Sequence, residues 1–350
     1  MITLWYTILS FMLLAFVVLE GFDIGAGMLQ RIVAKDDDQR RLVIAAIGPL
    51  WTWHEVWLLG FGGTLLMAFP TVMTEMSAGF YLAVMLLIWC LICRGVAMEV
   101  SGRISNPLWH TAWNAIFVAS NIALAILIGA ALANIVRGVP LGLDGKFALP
   151  FFTNFSPFGQ VGILDWYTIS GAVFTLVLFA AHGANGLAHR TNGPVHDGSL
   201  ALSRRLWRVV LTLLIVLAVE TGFVRPNLFL EVFLRPFGWL GLIGVLIGVV
   251  AIHTGLQCGD PRRALTGSTS LIAGLMITGA NGVFPIILRS TLAPQYSISA
   301  YHAAAAGNGL VIALIWWPIA FIIATTSFFF TFRYYYHGKV TLGQDTRAPY

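Results

Sequence analysis

Residues 19–29 read LEGFDIGAGML, a stretch that places two carboxylates, Glu20 and Asp23, inside an otherwise apolar run. The run extends over approximately 3–32, longer than the roughly 20 helical residues that cross about 30 Å of hydrocarbon. The i, i+3 spacing puts both carboxylates on one helix face. Because charges inside hydrocarbon are costly, such groups usually face a protein interior, a partner or water. The stretch therefore predicts a membrane helix with a buried acidic site.

The whole chain has the composition of an integral membrane protein. Hydrophobic residues make up 58% of its 350 residues and charged residues only 10%, too few to cover the surface of a soluble domain. The apolar runs are continuous rather than alternating, which predicts an all-α membrane protein of about nine transmembrane helices rather than a β-barrel. We place these helices at approximately 3–32, 50–70, 76–101, 111–136, 164–188, 206–225, 238–257, 266–288 and 306–332.

The domain organisation predicted from the sequence is simple. No linker or low-complexity segment separates a second folded unit, so we expect one membrane domain over 1–350. The first apolar run has no short n-region, no polar c-region and no small-residue cleavage site, and is therefore expected to be a retained span rather than a signal peptide.

The distribution of basic residues predicts the orientation. Fourteen of them lie on alternate connections and the C-terminal segment, against five on the opposite side, so the N-terminus is expected outside and the C-terminus in the cytoplasm. The net charge of +5 is thus a topology signal, and no nucleic-acid partner is expected. The larger set comprises Arg31, Lys35, Arg40, Arg41, Arg103, Arg190, Arg204, Arg205, Arg208, Arg262, Arg263, Arg333, Lys339 and Arg347; the smaller set comprises Arg137, Lys146, Arg225, Arg235 and Arg289.

A proline interrupts the second apolar stretch. Gly48-Pro49 lies between Leu42 and Phe69, and proline removes a backbone donor and tends to break or kink a helix. We therefore expect a short interfacial helix over 39–47 that leads into the second span.

Ionisable residues recur at one depth in the first three spans. At 1.5 Å per residue, Asp23 and Arg94 each lie about 12 Å from the cytoplasmic ends of their helices, with Glu20 deeper than Asp23 and Glu55 about 9 Å from the end, beside His54. This depth predicts a cluster in the cytoplasmic half. Its carboxylates are proton-transfer candidates, because desolvated carboxylates exchange protons near neutral pH. The alternative is structural pairing, for which Arg94 and Glu99 are the candidates.

Other polar residues give no catalytic, cofactor or metal site. His182, His189 and His253 lack a recognised haem-ligand spacing, and we expect them to be helix-packing histidines. Phosphate-loop, dinucleotide and HExxH patterns are absent from the sequence.

Several motifs together resemble one family, subunit II of the cytochrome bd-type quinol oxidases. The first 140 residues carry the specific matches, and the remainder matches mainly in helix number and scattered motifs. The motifs are LEGFDIGAGML at 19–29, RR at 40–41, IGPLW at 47–51, EVWLLGFGGTLLMAFP at 55–70, GFYL at 79–82, RGVAMEV at 94–100, NPLWHTAWN at 106–114, VRGVPL at 136–141, NFSPFG at 154–159, HGANGLAHRT at 182–191 and WWP at 316–318.

The resemblance implies a heterodimeric respiratory enzyme that oxidises quinol and reduces dioxygen to water. Subunit I of that family carries two b-type haems, one d-type haem and the quinol site, so catalysis is expected chiefly on the partner. Subunit II is a nine-helix subunit without haem that is implicated in proton delivery from the cytoplasm. Further partners implied are a small single-helix accessory subunit, membrane lipid and quinone. The expected location is the bacterial or archaeal cytoplasmic (inner) membrane.

One segment departs from the family pattern. The family usually reads W-D-G-N-E/Q-V-W-L where residues 51–58 read WTWHEVWL, so Thr52 replaces an acidic residue associated with proton transfer and His54 replaces an asparagine. The position of Thr52 remains a proton-transfer candidate through the resemblance. Either His54 and Glu55 compensate, since both exchange protons, or the chain belongs to a divergent branch with altered chemistry.

Two other function classes stay open at this point. A proton-coupled transporter also buries carboxylates and histidine beside broken helices, but no internal repeat accompanies the Gly48-Pro49 break. A structural membrane scaffold would use the buried charges only to fix helix pairing.

Overall fold

The computed structural model of the chain describes residues 1–48, 50–104, 106–306, 308–335 and 339–340. These residues form helices and one small antiparallel sheet. In chain order the elements are α1 (Ile2–Val33), α2 (Asp37–Ile47), α3 (Trp51–Ala68), α4 (Pro70–Gly79), α5 (Tyr81–Val100), α6 (Pro107–Arg137), α7 (Trp166–Arg190), α8 (Gly193–Val224), α9 (Asn227–Phe233), α10 (Pro236–Cys258), α11 (Pro261–Val283), β1 (Ile286–Leu288), β2 (Ile298–Ser299), α12 (Ala300–Ala303) and α13 (Gly309–Tyr335).

The helical membrane architecture is confirmed, with a different count of clearly apolar spans. Within the described ranges, seven helices are long and apolar enough to cross a membrane, or eight if α2 and α3 form one bent span. These seven are α1, α5, α6, α7, α8, α10 and α13. The helix nearest to the predicted span at 266–288, α11, is not among them, because its first half carries arginine, serine and threonine side chains.

The break between α2 and α3 matches the predicted interfacial helix. The axes of α2 and α3 differ by 45°, and α2 spans Asp37–Ile47 where 39–47 is predicted. The side chain of Asp36 caps α2 by accepting a hydrogen bond from the backbone N–H of Gln39. Pro49, the predicted cause of the break, lies outside the described residues.

Several predicted boundaries differ from the observed ones. The third span begins at Tyr81 instead of 76, since 70–79 forms the separate helix α4 with Pro70 at its first position. The sixth span is longer than predicted, because α8 already begins at Gly193. The eighth ends at Val283, and 286–288 forms a strand.

Helix α1 lies at the centre of the bundle and packs against α3, α6, α7 and α11. Its crossing with α7 is especially close. A Cβ atom on Gly25 would collide with the backbone carbonyl of Phe179, and one on Gly183 would collide with the backbone of Gly25 and Ala26. Small residues allow membrane helices to approach in this way. The crossing fixes the part of α1 that carries Glu20 and Asp23.

Irregular segments cover the end of the bundle where α1 begins. Strand β1 pairs antiparallel with β2, and Val139 forms a bridge with Ser290. An apolar cluster lies beneath these segments and includes Phe80, Phe147 and Leu288. The connection 137–163 is thereby tied to the bundle by packing.

Candidate functional site

Three helices bring buried ionisable residues together. Helix α1 supplies Glu20 and Asp23, and α3 supplies His54, whose Nδ1 lies 2.6 Å from Asp23 Oδ2. Asp23 is fully buried and His54 is nearly so. A contact this short between an imidazole and a carboxylate is a strong, charge-assisted hydrogen bond when the proton is shared within the pair.

Arg94 of α5 links the carboxylates of the other two helices. Its Nη1 donates a hydrogen bond to Glu20 Oε1 and lies 3.6 Å from Glu55 Oε1, while its Nη2 lies 3.9 Å from Asp23 Oδ2. One guanidinium therefore contacts three carboxylates, each on α1 or α3. Glu20, Asp23, His54, Glu55 and Arg94 are referred to below as the acidic cluster. The depth argument from the sequence predicts this proximity.

Exposure distinguishes Glu55 from the other members of the acidic cluster. The side chains of Glu20, Asp23 and Arg94 are 0% exposed, whereas that of Glu55 is 22% exposed. Glu55 is thus the carboxylate of the acidic cluster that reaches the surface of the chain, and Glu20 and Asp23 are fully enclosed.

The acidic cluster has more acidic groups than one arginine balances. Glu20 Oε2, Asp23 Oδ1 and Glu55 Oε1 have no hydrogen-bond partner among the described residues. Buried carboxylate oxygens without a hydrogen bond are costly while ionised, and a bound proton removes that cost. The arrangement can therefore hold a proton among the members of the acidic cluster.

The same residues have the ligand types of a metal site. One ligand atom each from Glu20, Asp23 and His54 lies within 4.8 Å of the others. However, Arg94 donates to Glu20 at this point and the imidazole of His54 already contacts Asp23. A cation between them would meet the positive guanidinium, so the charges favour shared protons over a metal ion.

In the described part of the chain, two sequence candidates form no hydrogen bond or ion pair with the acidic cluster. Thr52 is exposed on α3, and Glu99 pairs with Arg103 at 3.8 Å near the end of α5. The Glu99–Arg103 pair is largely exposed, and exposed pairs of this kind contribute about 0–1 kcal/mol. Glu99 thus pairs at the surface and does not contact the acidic cluster.

His182 occupies a helix-packing position, as expected. Its Nε2 lies 3.1 Å from the carbonyl oxygen of Val18, and its Nδ1 lies 2.7 Å from Ser268 Oγ. Both ring nitrogens therefore have protein partners on α1 and α11. His253 is partnered by Gln257 at 2.9 Å on the exposed side of α10.

Sequence reasoning missed a second set of buried charges at the other end of the bundle. Arg137 donates a hydrogen bond to Asp165, which also caps α7, and Arg225 pairs with Glu231 at 3.1 Å. From the sequence these arginines served only as topology markers. The capping pattern of Asp165 and Thr168 is a signal that predicts the position of the acidic partner.

Together, the apolar bundle and its buried charges define an integral membrane protein with ionisable groups inside its spans. Residues 1–335 match the sequence model of a protein family, Cytochrome bd terminal oxidase subunit II. The chain belongs to this family. The resemblance stated from the motifs is therefore confirmed. The chain is a subunit of a membrane terminal oxidase, an oxidoreductase complex, and family membership implies a partner subunit I.

Individual relatives agree with this assignment. The chain is 26% identical to the probable cytochrome oxidase subunit 2 of Haemophilus influenzae, covering 92% of this chain and 90% of the relative. It is 26% identical to the cytochrome bd-I ubiquinol oxidase subunit 2 of Escherichia coli K12 (86% and 85%) and 25% identical to the cytochrome bd ubiquinol oxidase subunit 2 of Bacillus subtilis (89% and 89%).

A solved structure has the same fold. A chain of the bd oxidase from Geobacillus thermodenitrificans superposes with a TM-score of 0.76 at 14% identity, covering 95% of this chain and 98% of that one. At this level of identity the likeness concerns the fold alone.

Proposed function

We propose that the acidic cluster delivers protons from the cytoplasmic side of the membrane to a haem-bearing partner subunit that reduces dioxygen. The observation that carries the proposal is the contact of Arg94 with three carboxylates, next to the hydrogen-bonded Asp23–His54 pair, inside apolar helices. Groups that change protonation state in hydrocarbon commonly serve proton relays.

The proposed relay starts at Glu55, because it is the one carboxylate of the acidic cluster that is partly exposed. A proton taken up there passes to the Asp23–His54 pair and then to Glu20, one turn farther along α1. Arg94 stays charged and holds the carboxylates within reach of one another. The three carboxylates each lie no more than 3.9 Å from Arg94 and His54 contacts Asp23, so the cluster forms one continuous polar path across α3, α5 and α1.

The surrounding assembly follows from the family. We propose that the haems b and d and the quinol site belong to subunit I, and that this chain carries none of them. The relatives from Escherichia coli and Bacillus subtilis are named ubiquinol oxidase subunits, which supports quinol as the electron donor. A small accessory subunit, lipid and quinone complete the proposed set of partners.

We further propose nine membrane crossings in one domain, with the N-terminus outside and the C-terminus in the cytoplasm of a bacterial inner membrane. Besides the apolar helices, α11 supports this count, because its 23 residues reach about 34 Å and it packs along α10. Two of its polar side chains have partners on neighbouring helices, since Ser268 contacts His182 of α7 and Ser270 donates to the carbonyl oxygen of Gly244 on α10.

The relay is tested by Glu55→Gln and His54→Asn, which keep approximate size and hydrogen bonding but remove titration in the useful range. Quinol-dependent oxygen consumption should fall and its profile between about pH 6 and 8 should change, while haem content stays at the parental level. Arg103→Gln, which alters an exposed pair only, is the control. Parental oxygen consumption in both variants across this range would refute the relay.

A further inference from the structure

A second polar region lies at the end of the bundle where α1 begins, far along the helices from the acidic cluster. A cleft of about 1050 Å³ is lined by three arginines, Arg137, Arg225 and Arg289, together with the acidic residues Asp165 and Glu231. These five residues are called the arginine cleft below. None of them takes part in the proposed relay.

Two of the three arginines are already neutralised. Arg137 donates to Asp165 and to the carbonyl oxygen of Gly162, and Arg225 pairs with Glu231 at 3.1 Å. Arg225 also donates to the carbonyl oxygen of Gly282 at 2.9 Å. Their guanidinium groups are fixed by protein partners.

Arg289 supplies the uncompensated charge. Its side chain is partly buried and has no hydrogen-bond or ion-pair partner among the described residues, although it lines the same cleft. Burial lowers the pKa of Arg225; Glu231 opposes this effect, and Arg289 adds to it by like-charge repulsion. The cleft therefore carries one positive charge in excess, which a single negative charge would balance.

An apolar cavity of about 330 Å³ adjoins the arginine cleft. The two spaces are lined by neighbouring residues at four places. In each pair one residue lines the cleft and the other lines the cavity: 137 and 136, 166 and 167, 227 and 228, and 286 and 287. The cavity extends along α1 from Tyr6 to Val17 and is lined almost entirely by apolar side chains from α1, α6, α7, α8 and α11. A charged cleft thus opens next to a space suited to a hydrocarbon chain.

We propose that the arginine cleft binds the phosphate of an anionic phospholipid at Arg289, with one acyl chain in the adjoining apolar cavity. A phosphodiester carries the single negative charge that the cleft lacks, and guanidinium groups pair well with phosphate oxygens. A free phosphate would leave the apolar cavity without an occupant. A zwitterionic lipid adds no net charge to balance Arg289. This inference does not depend on the proposed proton relay.

The test uses the complex of this chain with its partner subunit, stripped of lipid in detergent and then supplied with phosphatidylglycerol. Native mass spectrometry counts bound lipid, and thermal denaturation reports its effect. We expect Arg289→Gln to weaken binding of this lipid by about tenfold, the loss expected for one charge-assisted contact. Arg262→Gln, an exposed arginine at the start of α11, is the matched control and should bind like the parent.

A second variant addresses the acyl chain. A Cβ on Gly279 would meet no atom within 4 Å, and this residue lines the apolar cavity. Gly279→Leu starts from this open position and should occupy part of the cavity, which reduces lipid binding while all three arginines remain. Parental binding in this variant would refute the placement of the chain.

Two further comparisons separate the possible ligands. Phosphatidylcholine should not stabilise the complex, and inorganic phosphate should not displace bound phosphatidylglycerol. Equal binding by the parent and Arg289→Gln, or full displacement by inorganic phosphate, would overturn the proposal.

Discussion

Arg94 is the residue on which the charge arrangement of the acidic cluster depends. Among the described residues, Arg94 is the one that contacts all three carboxylates, Glu20, Asp23 and Glu55. It is completely buried. Removing one partner of a buried ion pair leaves the other charge without compensation. The structural and the proton-transfer roles of the cluster can therefore be separated by choosing which partner to change.

Arg94→Leu should lower the stability of the assembled complex. The expected loss is about 3–5 kcal/mol, reduced to the extent that the stranded carboxylates take up protons. Yield after purification and the thermal denaturation midpoint measure it. Arg103→Leu, at a 65% exposed arginine beyond the end of α5, is the control and should cost about 0–1 kcal/mol. Parental stability of Arg94→Leu would contradict the pairing.

The exposed side of α3 offers a gain-of-function experiment. Thr52 precedes Glu55 by three residues, so the two side chains lie on neighbouring parts of one helix face. In the Glu55→Gln background, Thr52→Asp should restore part of the oxygen consumption, because it returns a titrating carboxylate near the proposed entry. Thr52→Asn, which adds the same shape without titration, should restore none. Equal effects of the two changes would argue against a carboxylate at this entry.

Among the helices, the crossing of α1 and α7 fixes the position of the acidic cluster. Neither helix has room for a side chain at the contact between Gly25 and Gly183. Helix α1 also packs on α3, so a shift at this crossing would move Asp23 relative to His54. The contact of 2.6 Å between them depends on backbone packing as well as on charge.

Gly25→Ala should destabilise the complex. Alanine normally stabilises a helix by about 1 kcal/mol relative to glycine, but here its Cβ collides with the carbonyl of Phe179, and such overpacking costs about 1–3 kcal/mol. Gly102→Ala, at an exposed glycine with no atom within 4 Å of an added Cβ, is the control. Thermal denaturation compares the two. A Gly25→Ala midpoint at or above the parental value would show that the helices separate freely here.

The sequence predicts the helices better than their ends or their contacts. Hydropathy locates α1, α6, α7 and α10 within a few residues, because each is apolar along nearly its whole length. Hydropathy misplaces two helix boundaries. Helix α4 ends at Gly79 and α11 ends at Val283, each inside an apolar run, because packing against the irregular end of the bundle stops the helix there.

The candidate site was predictable from depth along the helices, and its geometry was not. Equal depth on consecutive spans indicates that Asp23, His54 and Arg94 are neighbours, since membrane charges seek partners. Which carboxylate Arg94 bonds, and that Glu99 turns to Arg103 instead, depends on helix rotation. The partnering of Arg137 and Arg225 depends on contacts between segments distant in sequence.

For the whole molecule, the proposed orientation can be tested with the cysteines of the chain. Cys258 is exposed at the end of α10, and Leu143, in the opposite connection, is 86% exposed. In intact cells a membrane-impermeant thiol reagent should label Leu143→Cys and leave Cys258 unlabelled until the membrane is opened. The reverse pattern would invert the orientation.

The haem content of this chain alone is a second prediction for the whole molecule. Purified without its partner, the chain should show no stoichiometric haem in a reduced-minus-oxidised spectrum. The physical reason is that haem ligation by His182 would break its contact with Val18 or Ser268. Stoichiometric haem that disappears on His182→Ala would contradict the assignment of all haems to subunit I.

The packing of the first and last helices has a consequence for the synthesis of the chain. Trp5 of α1 and Thr64 of α3 both contact Trp317 of α13, and Thr64 precedes Trp317 by 253 residues. At about 5–20 residues per second, a ribosome needs roughly 13–50 s to add the residues between them. Until then the side chains of Trp5 and Thr64 lack their contacts with α13 during insertion into the membrane. A ribosome that stalls before α13 would thus leave a nascent chain in which this surface of α1 and α3 is accessible to membrane chaperones and proteases.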